Sequence, residues 1–559
     1  MLGSDRSAPL RAWIGVPLLV CAAAIIGCSS GSSNGTGGTG GAGGTAGVGG
    51  AGGTGGAPPL DSTFKAATCV RDITPVSPNL ASAYQDKFGE AAAVNHTDPI
   101  YMAGFGNDRQ AAGYHDRLWA RGVVVGGPGG RVAIVALDLV GYFVNETETI
   151  RAMVSPESGI DYAVISSTHV HEGPDTEGLW GPNQFISGID FDYLDFVNQT
   201  VADCIDEAAA NLQEARMRTV TAPTDGLSLG IALQDDGLGV ADTKVLAGDI
   251  DLAPDTEGRI VDPRLPVMQL TKRDPNADGT YEVLATLVTF GNHPESLGSD
   301  NPLITSDYPN AARERLEAEY GGTAIWVSAD VGVLQTPLHI DLEDPLTSEP
   351  VAHDTFRFAE VYGTDLAERV IETIDTAEVG DDAPEIRFAR TTPVAIPLAN
   401  PLFRFAVAIG ALNTRRTLFT NGEPDTSTGK PFPPPFDTIP QALGEDVQTE
   451  VGAIRIGDAS FAVVPTELDP QRGDTYRNEM AGAKDTFIIG LGNDHIGYQV
   501  PFDKWDNSCH ECFPYIVNDD EASCPTQPID CNTVFENNVG QAVDPGVSEP
   551  LAPILEALR

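Results

Sequence analysis

The stretch Val164-Ile165-Ser166-Ser167-Thr168-His169-Val170-His171-Glu172-Gly173-Pro174 is a short apolar run that ends in two histidines and a turn. The pattern predicts a β-strand, in which successive side chains alternate between the two faces, so His169 and His171 are expected on the same side, about 6.6 Å apart. Gly-Pro ends the strand at the position where open α/β sheets carry their binding groups. Two polar residues on a solvated strand end would give the same pattern, so the spacing alone leaves both interpretations open.

The composition is that of a large and strongly acidic protein. The chain has 559 residues, of which 41% are hydrophobic, and this is enough for two to four ordinary domains or for one large enzyme domain. Its 80 acidic and 33 basic side chains give a net charge of -47. Such a charge repels the phosphates of nucleic acid and anionic lipid headgroups. We therefore expect no nucleic-acid partner.

The first 60 residues read as an export signal and a tether. Residues 1–27 contain two arginines and a short apolar run that is typical of a signal peptide. The run ends Ile25-Ile26-Gly27-Cys28-Ser29, which resembles the bacterial lipobox, so we expect lipidation at Cys28 and anchoring to the outer membrane. An ordinary cleavage site beside a cysteine is the alternative. Residues 28–60 are rich in Gly, Ser and Thr and predict a flexible tether ahead of one large domain at 61–559.

Cysteine usage agrees with export. Six cysteines belong to the predicted domain. Cys69 and Cys204 lie apart, and the other four lie in a Cys-rich loop at 508–532, namely Cys509, Cys512, Cys524 and Cys531. A Cys-x-x-Cys beside His510 is compatible with a zinc knuckle, but in an oxidising compartment a loop held by disulfides is favoured. The pairing cannot be read from the sequence.

Apolar runs and helical periodicity alternate along the rest of the chain, which predicts an α/β fold of mixed sheets flanked by helices. Strands are expected at 122–125, 132–137, 264–270, 281–290, 324–328, 450–456, 461–464 and 487–491, and helices at 193–216, 309–320 and 354–376. Four of the strand ends carry a residue that can bind a metal, namely His169, His293, Glu467 and Tyr498. Two nitrogens and two oxygens suit a catalytic zinc site. Taken singly, each has a plainer explanation: a core histidine, a solvated carboxylate or a packed tyrosine.

Five segments together resemble the neutral ceramidases, in the same order and with similar spacing. The segment at 168–174 is similar to the Thr-His-Thr-His-Ser-Gly-Pro signature of that family, and the others are at 113–121, 292–307, 464–467 and 493–498. The resemblance implies a single zinc ion held by His169, His293, Glu467 and Tyr498. It also implies that His171 is the acid/base and that His115 and Arg117 line the same cleft. The chain stops soon after Tyr498, so we expect a single catalytic domain without the family's immunoglobulin-like C-terminal domain.

The chain also departs from the family pattern. Glu172 replaces a serine, Thr466 replaces a glycine, and Gly332 stands where the family carries a serine often proposed as nucleophile. We therefore predict zinc-dependent hydrolysis of the amide of an N-acyl substrate, such as ceramide or a related lipid, by metal-activated water. Asp330 is expected to orient the site, and the Tyr498 hydroxyl to support the carbonyl oxygen. The alternative is a surface lipoprotein that keeps this fold as a binding or scaffold module without turnover.

Overall fold

The computed structural model describes residues 63–75, 81–82, 99–183, 186–224, 226–228, 261–332, 335–338, 340–377, 380, 384–400, 403, 415–425, 430–431, 440–441, 444–516, 520–527, 529 and 538–559. The predicted signal peptide, Cys28 and the tether lie outside these residues. None of the described helices combines the length and the apolar character needed to cross a membrane.

The larger sheet has eight strands in the order β11-β9-β8-β7-β1-β4-β5-β6. They are β1 Lys65–Asp72, β4 Trp119–Gly127, β5 Gly130–Leu137, β6 Tyr162–Ser167, β7 Gln213–Pro223, β8 Arg264–Lys272, β9 Val283–Phe290 and β11 Thr323–Ser328. The strands β5 and β6 are parallel, as are β9 and β11, whereas the other neighbours are antiparallel.

The second sheet runs β14-β13-β17-β18-β20, and β12 also pairs with β17. Its strands are β12 Ile386–Pro397, β13 Leu418–Thr420, β14 Glu423–Pro424, β17 Asp446–Ile456, β18 Ala459–Val463 and β20 Asp485–Ile489. Short pairings complete the described strands: β2 Ala81–Ser82, β3 Gly113–Tyr114, β10 Leu303–Ile304, β15 Lys430–Pro431, β16 Pro440–Gln441, β19 Glu467–Leu468 and β21 Tyr498–Gln499.

Helices cover the outer faces of the two sheets. The described α-helices are α1 Val144–Met153, α2 Phe191–Ala210, α3 Tyr308–Tyr320, α4 Phe356–Ile374, α5 Pro470–Glu479, α6 Ser508–Ile516 and α7 Val543–Ala557. One buried cluster joins side chains of both sheets, for example Val123 and Ile134 with Phe461 and Phe487. Three other clusters pack α2, the pair α3 and α4, and the pair α5 and α7 against the sheets. The α/β class with mixed sheets flanked by helices is therefore confirmed.

The larger sheet consists of two four-stranded halves, because β1 and β7 pair at only two positions. One half is formed by β11, β9, β8 and β7, and the other by β1, β4, β5 and β6. The edge strand β11 of the first half contacts the second half. The hydroxyl of Thr68 is 3.0 Å from that of Thr323, and the Ser328 hydroxyl donates to the backbone oxygen of Thr168 at 2.7 Å. This arrangement brings the carboxyl ends of β6 and β9 together, although they belong to different halves.

Two sequence predictions need correction. The helix predicted at 193–216 ends at Ala210, and the residues from Gln213 onward form β7. The backbone N–H of Asn211 donates to the backbone oxygens of Glu207 and Ala208 and ends the helix. The residues that follow pair with β1 and β8. The strand predicted to reach the histidines ends at Ser167, because His169 has a left-handed φ of 69° that a strand cannot contain.

The cysteines form disulfides, as the composition favoured. Cys69 of β1 is bonded to Cys204 of α2, which ties the helix to the sheet, and Cys512 is bonded to Cys524. Cys509 is disulfide-bonded as well. The two cysteines of the Cys-x-x-Cys therefore do not pair with each other, and Cys531 lies outside the described residues.

Candidate metal centre

The two histidines of the signature converge because the chain turns after β6. The left-handed conformation of His169 directs the segment back, and the rings of His169 and His171 have centroids 5.0 Å apart. His293, three residues after β9, places its ring 4.8 Å from that of His169 and 5.5 Å from that of His171. The ligand atoms of these three buried histidines lie within 4.8 Å of one another, so the group could hold a metal ion.

His169 and His293 are oriented in the same way. The Nδ1 atom of His169 lies 2.6 Å from the backbone oxygen of Val140, and the Nδ1 atom of His293 lies 2.8 Å from that of Gln335. A carbonyl oxygen only accepts, so each Nδ1 carries the proton. In the neutral ring the Nε2 atom then keeps its lone pair for a metal ion, which is the usual arrangement of a metal-binding histidine.

Both Nε2 atoms face one oxygen of Glu467. The Oε2 atom is 3.3 Å from Nε2 of His169 and 3.2 Å from Nε2 of His293. Adjacent ligand atoms of a tetrahedral zinc site lie about 3.3–3.4 Å apart, since the bonds to N and O are about 2.0–2.1 Å long. Two protonated imidazoles would also satisfy the carboxylate, but they would repel each other at this ring separation. One cation removes the repulsion, so the donor set fits a metal ion.

The carboxylate of Glu467 is buried and nevertheless held ionised. Burial works against the charged form, but without an ion protonated His169, together with hydrogen bonds from His169, His293 and His495, keeps the pKa of Glu467 well below its ordinary value. A metal ion between the ligands would supply the same positive charge with His169 and His293 neutral. A buried carboxylate in this state requires positive charge beside it.

Tyr498 reaches the same place through strand pairing. Glu467 and Tyr498 are the opposed first residues of β19 and β21, a short parallel pair that continues from the ends of β18 and β20. Burial together with the negative charge of the neighbouring Glu467 raises the pKa of the Tyr498 phenol well above its usual value. The structure therefore brings together all four residues of the predicted ligand set.

His171 has a different environment from the other two signature histidines. Its Nδ1 atom lies 3.4 Å from Oε2 of Glu295, and Phe105 packs edge-on at 5.0 Å. Gly104 allows the close approach, because a Cβ at that position would collide with the His171 ring. Burial and the neighbouring His169 and His293 lower the pKa of His171 well below its ordinary value.

A fourth histidine, His495, lies between two carboxylates. Its Nδ1 is 2.7 Å from Oε1 of Glu177, and its Nε2 is 3.1 Å from Oε1 of Glu467. Burial lowers the pKa of His495, but the charge of Glu177 and the hydrogen bonds to Glu177 and Glu467 outweigh burial and raise that pKa to about 10. Its ring centroid is 5.6 Å from that of His169.

Two residues expected to line the cleft, His115 and Arg117, contact residues other than the metal-binding side chains. His115 stacks on Phe356 at 3.7 Å and lies 3.0 Å from Asp116. Arg117 is paired with Asp72 at 2.7 Å. These contacts are not with the metal-binding side chains, so a role of His115 and Arg117 in lining the cleft stays a prediction.

Asp330 is buried, and its carboxylate is bound by the guanidinium of Arg477 at 2.9 and 3.2 Å. The connection of Asp330 to the site is indirect. The side chain of Gln335 donates to the backbone oxygen of Asp330, while the backbone oxygen of Gln335 receives His293. The carboxylate of Asp330 therefore binds Arg477, whereas the backbone oxygen of Asp330 is connected to His293 through Gln335.

Gly332 is packed against the backbone that carries Glu467. Its N–H donates to the backbone oxygen of Leu468 at 2.9 Å. A Cβ at this position would lie 2.6 Å from the carbonyl carbon of Leu468 and 2.7 Å from the backbone oxygen of Glu467. This backbone therefore has no room for a serine at position 332. Ser328, four residues before Gly332, is buried and its hydroxyl donates to the backbone oxygen of Thr168, so it does not take the place of the missing serine.

The sequence reasoning missed three members of the site, namely Glu177, Glu295 and His495. Glu295 follows His293 by two residues, and His495 lies inside the segment that was singled out for Tyr498. A second histidine so close to a predicted ligand was an available signal. The sequence contains no comparable signal for Glu177, because a carboxylate in a polar loop belongs to no periodic pattern.

Two of the solved structures that have a similar fold are ceramidases. The crystal structure of neutral ceramidase from Pseudomonas aeruginosa aligns with a TM-score of 0.58 at 17% sequence identity, over 89% of this chain and 75% of its own. A ceramidase complexed with C2 aligns with a TM-score of 0.59 at 16% identity, over 89% of this chain and 76% of its own. No family model and no curated protein matches the sequence. The geometry and the alignment together confirm the resemblance at the level of architecture: the chain has the fold of the neutral ceramidases.

Proposed function

We propose that this protein is a zinc-dependent amidohydrolase that cleaves an N-acyl lipid into a fatty acid and an amine. The observation that carries the proposal is the convergence of His169 and His293 on Oε2 of Glu467, with both Nδ1 atoms fixed by backbone carbonyls. The ceramidase fold supplies the substrate class, since one of the similar structures is a neutral ceramidase.

In this proposal His169, His293, Glu467 and Tyr498 hold the zinc ion. When bound, zinc supplies a Lewis acid that polarises the substrate carbonyl and lowers the pKa of water toward about 7. The chain contributes the preset geometry. The imidazole tautomers are fixed before the ion arrives, and the β19–β21 pairing keeps Glu467 opposite Tyr498.

His171 transfers the proton. Its ring lies beside the metal-binding histidines in the space that Gly104 leaves, with Glu295 3.4 Å from its Nδ1 atom. In its neutral form it accepts a proton from the water that adds to the carbonyl carbon. It then gives that proton to the amine nitrogen as the C–N bond breaks, so a carboxylic acid and an amine are released. Such acid/base catalysis contributes about 10²–10⁴-fold to the rate. No serine is required, which suits the crowded backbone at Gly332.

Hydrolysis by the purified full chain tests the proposal. Ceramides with short and long acyl chains are supplied together with an O-acyl ester of the same acid as a control. We expect release of fatty acid from the amides, loss of that activity in a chelator, and recovery on addition of Zn²⁺. Stoichiometric zinc with no turnover of any N-acyl substrate would contradict hydrolysis.

That outcome would favour the second candidate, a binding or scaffold module of the same fold. The absence of space for a hydroxyl side chain at Gly332 is the observation in its favour. Saturable binding of ceramide by the zinc-loaded chain without turnover would support it.

We also propose that the protein is attached to a membrane by lipid on Cys28, which rests on the sequence at 25–29 alone. Metabolic labelling with a fatty acid tests this. Cys28→Ala is expected to abolish both the label and membrane attachment, and a labelled Cys28→Ala protein would contradict it.

A further inference from the structure

A chain of hydrogen bonds occupies the side of Glu467 that faces away from His169 and His293. Glu177 Oε1 contacts His495 Nδ1 at 2.7 Å, and His495 Nε2 contacts Glu467 Oε1 at 3.1 Å. The side chains of Glu177, His495 and Glu467 are 2%, 9% and 5% exposed, so water does not replace these contacts. The two oxygens of Glu467 therefore have separate partners.

The surrounding backbone is shaped for this chain of hydrogen bonds. A Cβ at Gly141 would collide with Oε1 of Glu177 and with Nδ1 of His495, so only glycine leaves space for their contact. The loop that carries Glu177 is anchored by Asp175, whose carboxylate accepts the backbone N–H groups of Glu177 at 3.0 Å and Gly178 at 2.7 Å. The position of Glu177 is thus fixed independently of His495.

The hydrogen-bond directions distinguish His495 from the metal-binding histidines. Both of its ring nitrogens face carboxylate oxygens, which accept hydrogen bonds and do not donate them when ionised. The Nε2 atom of His495 faces Oε1 of Glu467, whereas the Nε2 atoms of His169 and His293 share Oε2, so that pair, and not His495, is arranged around one position for an ion. His169 and His293 instead donate from Nδ1 to neutral carbonyls and keep the Nε2 lone pair.

We propose that His495, itself oriented by Glu177, is a positioning residue that fixes the Glu467 carboxylate through Oε1 and so presents Oε2 to the metal. This role rests on the proposed zinc site. It assigns a function to two residues that lie outside the predicted ligand set. A carboxylate held at one oxygen loses less rotational freedom when the other binds a metal, so the affinity for the ion rises.

Zn²⁺ affinity tests the proposal, because it needs no substrate. The full chain is stripped of metal and titrated with Zn²⁺ in competition with a chromophoric chelator. Changes in residues that orient metal ligands typically weaken binding by about 10–100-fold, so we expect about tenfold for Glu177→Gln and about 100-fold for His495→Leu. His495→Gln keeps one donor for Glu467 and should fall between them. Gly141→Ala should weaken binding although Glu177 and His495 are both retained, because the added Cβ would displace their side chains.

A matched control separates positioning from loss of stability. Asp485 is a buried carboxylate that begins β20, the strand preceding the His495 segment, and it accepts from the hydroxyls of Thr219 at 2.6 Å and Thr221 at 3.0 Å. Asp485→Asn should lower the melting temperature of the metal-free chain without changing its Zn²⁺ affinity.

The outcomes are distinct. Affinities of Glu177→Gln and His495→Leu within about twofold of the parent chain, far below the usual effect of an orienting residue, would overturn the inference and leave the proposed function standing. Loss of zinc in His495→Gln as complete as in His169→Ala would also overturn it, since His495 would then be a ligand. A parent chain that binds no zinc would overturn the proposed function and the inference together.

Discussion

The two sides of the Glu467 carboxylate show how the partner of a histidine decides its task. On the Oε2 side, His169 and His293 donate to backbone carbonyls and direct a lone pair toward the carboxylate. On the Oε1 side, His495 is held by the carboxylate of Glu177 and directs a proton toward Glu467. The same residue type therefore serves as a metal ligand on one side and as a hydrogen-bond donor on the other.

The largest effect is expected from removing a histidine on the Oε2 side. His169→Ala and His293→Ala each delete a nitrogen ligand, so the Zn²⁺ affinity should fall by well over about 100-fold, beyond the cost of changing an orienting residue. Elemental analysis and chelator competition measure it. Full zinc occupancy in both variants would remove the distinction between the two sides.

A second prediction concerns His171, which lies close enough to the other histidines to be either a base or a ligand. As the base, its replacement by alanine should lower kcat by at least about 100-fold while the chain keeps its zinc. The metal content and the rate are measured on the same preparation. Loss of zinc would instead place His171 with His169 and His293, and an unchanged rate would exclude it from catalysis.

A third prediction uses Gly332, which supports Glu467 from the backbone. Gly332→Ser should not supply a nucleophile. It should destabilise the chain by about 1–3 kcal/mol, as is usual when atoms are forced into a packed site. Denaturant unfolding of the metal-free chain measures the loss, with Ala277→Ser, at an exposed position of the turn between β8 and β9, as the control for the added hydroxyl. Faster turnover with a trapped acyl-serine would contradict the prediction.

The smallest effect is expected at Ser328. Its hydroxyl bonds the backbone oxygen of Thr168 between β11 and the end of β6. Ser328→Ala should cost about 1 kcal/mol of stability through that lost hydrogen bond and leave the rate nearly unchanged. Thermal unfolding and steady-state kinetics are sufficient, and a rate loss beyond about tenfold, which is about 1.4 kcal/mol in the barrier, would assign Ser328 a direct role.

The sequence by itself determined the class of fold, the main strands and helices, and the three residues that meet at Glu467 together with Glu467 itself. Apolar runs and helical periodicity are local patterns, because burial of one face is written in neighbouring residues. These patterns marked the strand ends that carry His169, His293, Glu467 and Tyr498, and the combined resemblance of five segments made those residues the candidate ligand set. The preference for disulfides followed from composition in the same way.

Only the tertiary structure decided which atoms meet. The ends of β6 and β9 are adjacent because β11, the strand beside β9, contacts the half of the sheet that contains β6. No local sequence pattern encodes this arrangement. Asp330 was assigned to the site by its place in the chain, but its carboxylate is bound by a guanidinium 147 residues away. Glu177 and His495 acquire their role from a contact across 318 residues, through a space that Gly141 leaves open. Long-range contacts between polar groups depend on direction and distance, and the order of residues along a chain specifies neither.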